Sequence, residues 1–243
     1  MKNILHLLAT DLDGTFVGDQ NSLKRLLSHY ETLTEPVSLA YITGRHRASA
    51  AQLIYEESLP TPDFLITDVG TVIYAGPHFE EDEEWKKKMS KEWHPEQILK
   101  TAENIPGLTC QDLPNKRRVS FYSEGSRPAK VLKKALLKNG IPHNFIFSSN
   151  RDVDILPKGG GKGEALKFLI KKYADKEADI LVAGDSGNDL DMLQAGYPAV
   201  IVSNARPDLA AITGSEKLFR ASYPYAEGIL EAWQHFYGNK ERL

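Results

Sequence analysis

The apolar run ILHLLA at residues 4–9 is followed at once by DLDG at 11–14. A buried strand that ends in two carboxylates must deliver them to a cleft, because an unpaired charge in an apolar interior is strongly disfavoured. In an open parallel sheet the crevice lies at the carboxyl ends of the strands, and ligands bind there. Asp11 and Asp13 therefore constrain both the fold and the place to look for chemistry.

The remaining sequence supports such a sheet. Short β-rich runs at 4–10, 37–42, 64–67 and 71–74 alternate with helix-patterned stretches at 22–34 and 46–58, with Ser22 as the expected cap of the first. From Gly76 the character changes. FEEDEEWKKKMSKEW at 79–93 has acids before bases, the pattern of a solvated helix. Helices are expected over 95–104 and 126–139, the second closed by Gly140, with a strand at 119–123. NFIFSSNRDVDILP reads as a hairpin joined at Asn150-Arg151. After Pro157 the parallel pattern returns, with helices at 162–174, 190–195, 207–212 and 226–236 and strands at 179–183, 199–202 and 218–221. The sequence thus predicts an α/β fold. A Rossmann-like parallel-sheet core, 1–78 plus 159–243, carries an inserted α+β cap domain, 79–158. Gly76-Pro77 and the glycines at 159–161 suggest hinges between them.

Composition narrows the partners. Lys and Arg total 30 against 33 Asp and Glu, a net charge of −3. That is no footprint for nucleic acid and no anchor for a membrane. The short basic run NKRRV at 115–119 reads as decoration of a turn. The lone Cys110 excludes an internal disulfide and is expected to be buried and inert, which fits a reducing cytoplasm. MKNILHLLA runs into aspartates without a small-residue cleavage pattern, so it reads as a strand and not as a signal peptide. No apolar run approaches the ~20 residues of a spanning helix. A cytoplasmic monomer acting on a small molecule is expected.

Three further segments share the position of the two aspartates at a strand end or the start of the next helix: Thr43 in YITGR, Lys162 in GGGKG, and Asp185 with Asp189 in GDSGND. Asp11 with Asp13, Thr43 and Lys162 each have a plain alternative, respectively a turn, a helix cap and a solvated lysine, and the glycines could serve only as a hinge. Their convergence on one rim favours a common site. Four carboxylates in one pocket repel one another, and a hard divalent cation such as Mg²⁺ relieves that repulsion. Lys162 and the Thr43 hydroxyl suit phosphate, and the glycines beside both let backbone N–H groups approach an anion. Such a set suits phosphoryl transfer. Asp11 would attack phosphorus to form an aspartyl-phosphate. Asp13 would protonate the leaving alkoxide and later deprotonate water.

DLDGT, the threonine of YITGR, Lys162 and GDSGND resemble, in order, the four motifs of the haloacid dehalogenase superfamily of phosphatases. An insertion between the second and third motifs resembles the type-IIB cap. GDQ at 18–20, LAYITGR, IFSSNRDVDILP and YAEGILEA are similar to the sucrose-phosphatase family within it. The resemblance implies Mg²⁺ held by Asp11, the backbone carbonyl of Asp13, and Asp185, with Asp189 in support or acting through water. It implies phosphate held by Thr43, Gly44 and Lys162, with Asn188 and Asp189 supporting the metal and orienting Lys162. Ser148, Ser149, Asn150, Arg151, Asp152 and Asp154 in the cap hairpin, and Arg45 and His46 after Thr43, are the sugar-binding candidates. The implied substrate is a disaccharide phosphate, sucrose 6-phosphate first. Mannosylfructose, glucosylglycerol and glucosylglycerate phosphates stay open, as do a phosphomutase and a non-catalytic sugar-phosphate-binding module on the same scaffold.

Overall fold

The computed structural model describes residues 4–76, 78–210, 212 and 214–238. The chain begins with β1 (Ile4–Thr10), α1 (Gln20–Glu31), β2 (Val37–Ile42), α2 (Arg47–Glu56), β3 (Phe64–Thr67), β4 (Val72–Ala75), β5 (Glu80–Glu81) and α3 (Glu83–Ser90). It continues through α4 (Pro95–Ala102), β6 (Leu108–Cys110), β7 (Val119–Ser123), α5 (Ser126–Lys138), β8 (Asn144–Ser148) and β9 (Asp152–Leu156). It closes with α6 (Lys162–Tyr173), β10 (Ala174–Gly184), α7 (Leu190–Leu193), β11 (Ala199–Ile201), β12 (Leu218–Arg220) and α8 (Tyr225–Tyr237).

The strands of the large sheet run β12-β11-β10-β1-β2-β3-β4-β5. They are parallel from β12 to β3, and β4 and β5 are antiparallel. β1 lies between β10 and β2, so the first strand and a late one are direct neighbours. Both faces of the sheet are buried, as parallel sheets require. Leu7 and Ala9 of β1 join one apolar cluster with Leu166 and Leu169 of α6, and Leu8 joins the other with Leu26 of α1 and Trp233 of α8. The cap is a four-stranded antiparallel sheet, β6-β7-β9-β8, with α4 and α5 packed on it around Ile98, Leu132 and Val153. The expected α/β core with an inserted α+β cap is the observed architecture.

Several local expectations are corrected. Asp19, not Ser22, caps α1, accepting from the N–H groups of Asn21 and Ser22. The segment at 79–93 is not wholly solvated: Trp85 and Met89, four apart on α3, are buried in the core cluster. Two apolar residues at helical spacing outweigh the charges around them, and the Trp85 indole donates to Gly70 O at 3.2 Å. β10 starts at Ala174, opposite Ile4; the register then slips, and pairing with β1 resumes at Asp179 opposite His6, where the apolar run begins. The hairpin loop is three residues, Ser149-Asn150-Arg151, between the paired Ser148 and Asp152, with Ser149 and Asn150 at φ 54° and 51°. Cys110 is exposed on the edge strand β6. The stretch expected to be helical over 207–212 is a single 3-10 turn, Pro207–Leu209; Ala211 lies outside the described residues, as does Pro77 of the first linker. Among the described residues no helix is long and apolar enough to cross a membrane.

Candidate active site

Asp11 follows β1 directly, and its N–H donates to Ala183 O on β10 at 3.0 Å, so the sheet holds it in place. Gly14 has φ +81°, and a Cβ there would fall 2.7 Å from Asp185 Oδ2; only glycine lets the first loop come this close to the fourth. Thr43 is buried at the end of β2, its Oγ1 accepting from Arg45 N at 3.1 Å. Arg45 donates through Nε and Nη2 to the two carboxylate oxygens of Asp13, both at 2.7 Å. This fork-to-fork pair fixes Asp13, whose side chain is 51% exposed. His46 caps α2 by accepting from Ser49 N and so faces its own helix.

Lys162 is the first residue of α6 and is completely buried. Its Nζ donates to Asp11 Oδ1 and to Asp189 Oδ1, each at 2.6 Å. The glycines around it allow close packing against Asp191. A Cβ at Gly161 would meet Asp191 Oδ2 at 2.5 Å, and one at Gly163 would meet Asp191 O at 2.4 Å. Asp191 in turn accepts from Gly163 N at 2.9 Å. The other oxygen of Asp189, Oδ2, accepts from the N–H groups of Asp185 and Ser186, both at 3.0 Å. Asp189 therefore has both oxygens engaged, one on Lys162 and one on the loop that carries Asp185.

Asp11, Asp185 and Asp189 each place a carboxylate oxygen within 4.8 Å of the others. Burial first, then Asp189 and Asp185, push Asp11 up to about 8 against the pull of Lys162. Burial and Asp189 push Asp185 up to about 6. Burial alone would lower Lys162, but the two carboxylates outweigh it and hold the ammonium above the ordinary lysine range. Three buried carboxylates against one ammonium leave excess negative charge among hard oxygen donors, which fits Mg²⁺. The Asp13 carboxylate, expected among the metal ligands, is not in that set: it is committed to Arg45.

Above these groups lies a cleft of about 260 Å³. Its core wall includes Asp11, Asp13, Gly44, Arg45, Asp185 and Asn188, and its cap wall includes Gln111, Arg118, Ser148, Ser149, Asp152 and Asp154. Thr43 and Lys162 lie beneath the floor. Asn150 and Arg151 are not brought to the cleft: both are exposed, and the Arg151 guanidinium sits 4.3 Å from the Tyr122 ring centroid. The turn geometry places them at the hairpin tip, beyond the wall. Sequence reasoning missed Gln111, Arg118 and Arg206. Arg206 follows β11, at the same end of the sheet as the other motifs, and its N–H donates to Asp185 O at 2.7 Å; the strand-end rule that found the others would have found it.

Comparison with known proteins places the chain in a family. The chain is 34% identical to a glucosylglycerol-phosphate synthase of Pseudomonas anguilliseptica over 95% of its own length but spans 30% of that longer protein. It is 31% identical to the mannosylfructose-phosphate phosphatase of Agrobacterium fabrum, covering 96% of this chain and 97% of that one. The crystal structure of the sucrose-phosphatase from Synechocystis sp. PCC6803, in complex with sucrose and phosphate, superposes with a TM-score of 0.88 at 34% identity, covering 96% of this chain and 98% of that one. The profile of the sucrose-6F-phosphate phosphohydrolase family matches residues 4–237, and the chain belongs to that family.

Proposed function

We propose that this protein is a Mg²⁺-dependent phosphatase that hydrolyses a disaccharide phosphate, sucrose 6-phosphate first, through an aspartyl-phosphate. The observation that carries the reading is the meeting of Asp11 and Asp185, which line a polar cleft between core and cap, with Lys162 and Asp189 buried directly beneath them. Asp11 is the nucleophile: its carboxylate oxygen bonds to phosphorus as the phosphorus–oxygen bond to the sugar breaks. Asp13, released from Arg45 and protonated from solvent, gives that proton to the leaving sugar oxygen. It then takes a proton from the water that opens the aspartyl-phosphate and frees phosphate. Lys162, the Thr43 hydroxyl and the Gly44 N–H hold the non-bridging oxygens, where negative charge spreads in the transition state. Asp11, Asp185 and the Asp13 carbonyl would hold Mg²⁺, with Asp189 and Asn188 in support; when bound, the ion supplies the positive charge that lets two anions meet.

The sugar preference rests on the cap. Ser148, Ser149, Asp152, Asp154 and Gln111 offer many hydroxyl partners on one wall, and a site built to hydrogen-bond hydroxyls rejects analogues that lack them. The sucrose bound by the Synechocystis enzyme and the name of the Agrobacterium phosphatase both support a disaccharide. The single cysteine fits a reducing cytoplasm, and a cap that opens and closes needs free surface, which a monomer leaves. The test is phosphate release from sucrose 6-phosphate, mannosylfructose phosphate, glucosylglycerol phosphate and glucose 6-phosphate, with Mg²⁺ and with a chelator. Sucrose 6-phosphate is expected to have the highest kcat/KM, and the chelator to stop release. Equal rates on glucose 6-phosphate would overturn the disaccharide reading, and an isomerised phosphosugar with no free phosphate would indicate a mutase.

A further inference from the structure

The basic run at 115–119 does not decorate a turn; it joins the cap to the core. Arg117 pairs with Glu81 at 2.8 Å, and Arg118, only 8% exposed, goes deeper. Its Nη1 donates to Ser120 Oγ at 2.8 Å and to Asp154 Oδ1, both on the cap sheet. Its Nη2 donates across the cleft to the Gly44 carbonyl at 2.8 Å. Its Nε is buried without a hydrogen-bond partner and faces Asp68 Oδ1 of the core at 3.9 Å. Three of the five guanidinium donors are thus committed to the protein itself.

What Arg118 grips is the loop that carries two working groups. Gly44 stands between Thr43 and Arg45, so a shift of its carbonyl moves the threonine hydroxyl and the Arg45 fork on Asp13 together. From below, the same loop rests on Asp68, Val69 and Gly70, all three at positive φ, 52°, 57° and 88°. Asp68 N donates to Arg45 O at 2.9 Å and Val69 N to Thr43 O at 3.2 Å. Two consecutive non-glycine residues in the left-handed region persist only where their surroundings over-determine them. Asp68 is buried, its Oδ2 accepting from Thr67 Oγ1 at 2.9 Å, and the nearest cation to its other oxygen comes from the cap.

We propose that Arg118 is a positioning residue that passes the seating of the cap to the Thr43–Gly44–Arg45 loop, with Asp68 as its counter-charge in the core. The inference rests on the phosphatase reading for its rate effect but not for its structural one. With the cap down, Arg118 holds the Gly44 carbonyl and sets the Thr43 hydroxyl and the Asp13–Arg45 pair. With the cap lifted, the carbonyl and the buried Asp68 carboxylate both lose their cation.

The experiment uses the full chain with Arg118→Lys, Arg118→Ala, Asp68→Asn and the Arg118→Ala/Asp68→Asn double variant. It reads kcat and KM on sucrose 6-phosphate, and hydrogen exchange at the amides of Arg45, Asp68 and Val69. Arg118→Ala is expected to lower kcat about 100-fold with KM changed less than about 3-fold, the scale of a misplaced catalytic group. Arg118→Lys, which keeps the charge and loses the fork, should recover only part of that loss. The double variant should lose little beyond Arg118→Ala, because the two act as a unit. Exchange at the three amides should rise while the rest of the core stays protected. A raised KM with unchanged kcat would make Arg118 a substrate ligand and overturn the proposal, as would additive losses or unchanged exchange. If Arg118→Ala fails to fold, Arg118→Lys and Asp68→Asn decide by the same measures. If the wild-type protein releases phosphate from no phosphosugar, the phosphatase reading fails, and the exchange data still decide whether Arg118 clamps the loop.

Discussion

Gly70 packs directly on the backbone of Gly161. A Cβ at Gly70 would fall 2.3 Å from the Gly161 carbonyl carbon and oxygen and 2.6 Å from Lys162 N. The turn after β3 and the loop before α6 therefore share one surface, which sets how far Lys162 reaches beneath Asp11. Gly70→Ala must strain a residue at φ +88° and also push the loops apart. A loss of stability of about 2 kcal/mol or more is expected in urea, from strain of about 1–3 kcal/mol plus the clash. Phosphate release should fall with it. Full activity in this variant would show that the Lys162 loop tolerates displacement.

Asp11→Asn keeps the shape of the side chain and removes the proposed nucleophile. Turnover is expected to drop at least about 10⁴-fold, the scale for losing a covalent catalytic group. The circular dichroism spectrum should match that of the wild type, because the Asp11 N–H to Ala183 bond and the β1–β10 pairing do not depend on the carboxylate. Residual activity within tenfold of wild type would argue for direct attack by water.

Lys162→Met has a different signature. It leaves Asp11 and Asp189 buried together without their shared cation. Removing one partner of a buried ion pair costs about 3–5 kcal/mol. Both stability and activity should fall, whereas Asp11→Asn should affect activity alone. Calorimetry of the two variants side by side separates the roles; equal melting temperatures would contradict the arrangement.

Asp82 supplies a stability test away from the cleft. It caps α3 through Trp85 N at 2.9 Å and accepts from Lys172 Nζ at 2.7 Å and from Tyr173 OH at 2.9 Å. Burial works to raise its carboxyl, but Lys172, the Trp85 N–H and Tyr173 prevail and hold it below the usual value of 3.8. A carboxyl depressed in the folded state stabilises the fold above its unfolded pKa, and that contribution is lost as the pH falls through the folded one. Asp82→Asn should therefore cost about 1 kcal/mol near pH 7, the scale of a lost helix cap. The gap to wild type should shrink as the pH falls below 3.8. A pH-independent difference in urea midpoints would assign Asp82 a packing role only.

Asp11, Thr43, Lys162 and Asp185 were legible because each follows a strand or opens a helix, and a sheet order alone brings such positions together. The apolar periods of β1, β2 and β3 are strong enough to fix those ends. Arg118 was not legible. Its partners Asp154 and Gly44 lie 36 and 74 positions away, and no local pattern distinguishes a buried arginine from a solvated one. Asn150 and Arg151 misled for a related reason: a polar hairpin tip and a polar hairpin wall look alike until the turn residues are known. Trp85 and Met89 were hidden by the charges between them, although their spacing of four is the one a buried helix face requires.

Lys162 grips Asp11 across 151 positions of chain. A ribosome adding roughly 5–20 residues per second leaves on the order of 10–30 s between the synthesis of the two. During that interval β1 lacks β10, its neighbour on one side, and the nascent amino-terminal half presents an unpaired central strand capped by an unneutralised acid. A charge at the end of that strand disfavours docking of the open edge on another chain until β10 arrives, the kind of protection charged residues give to sheet edges.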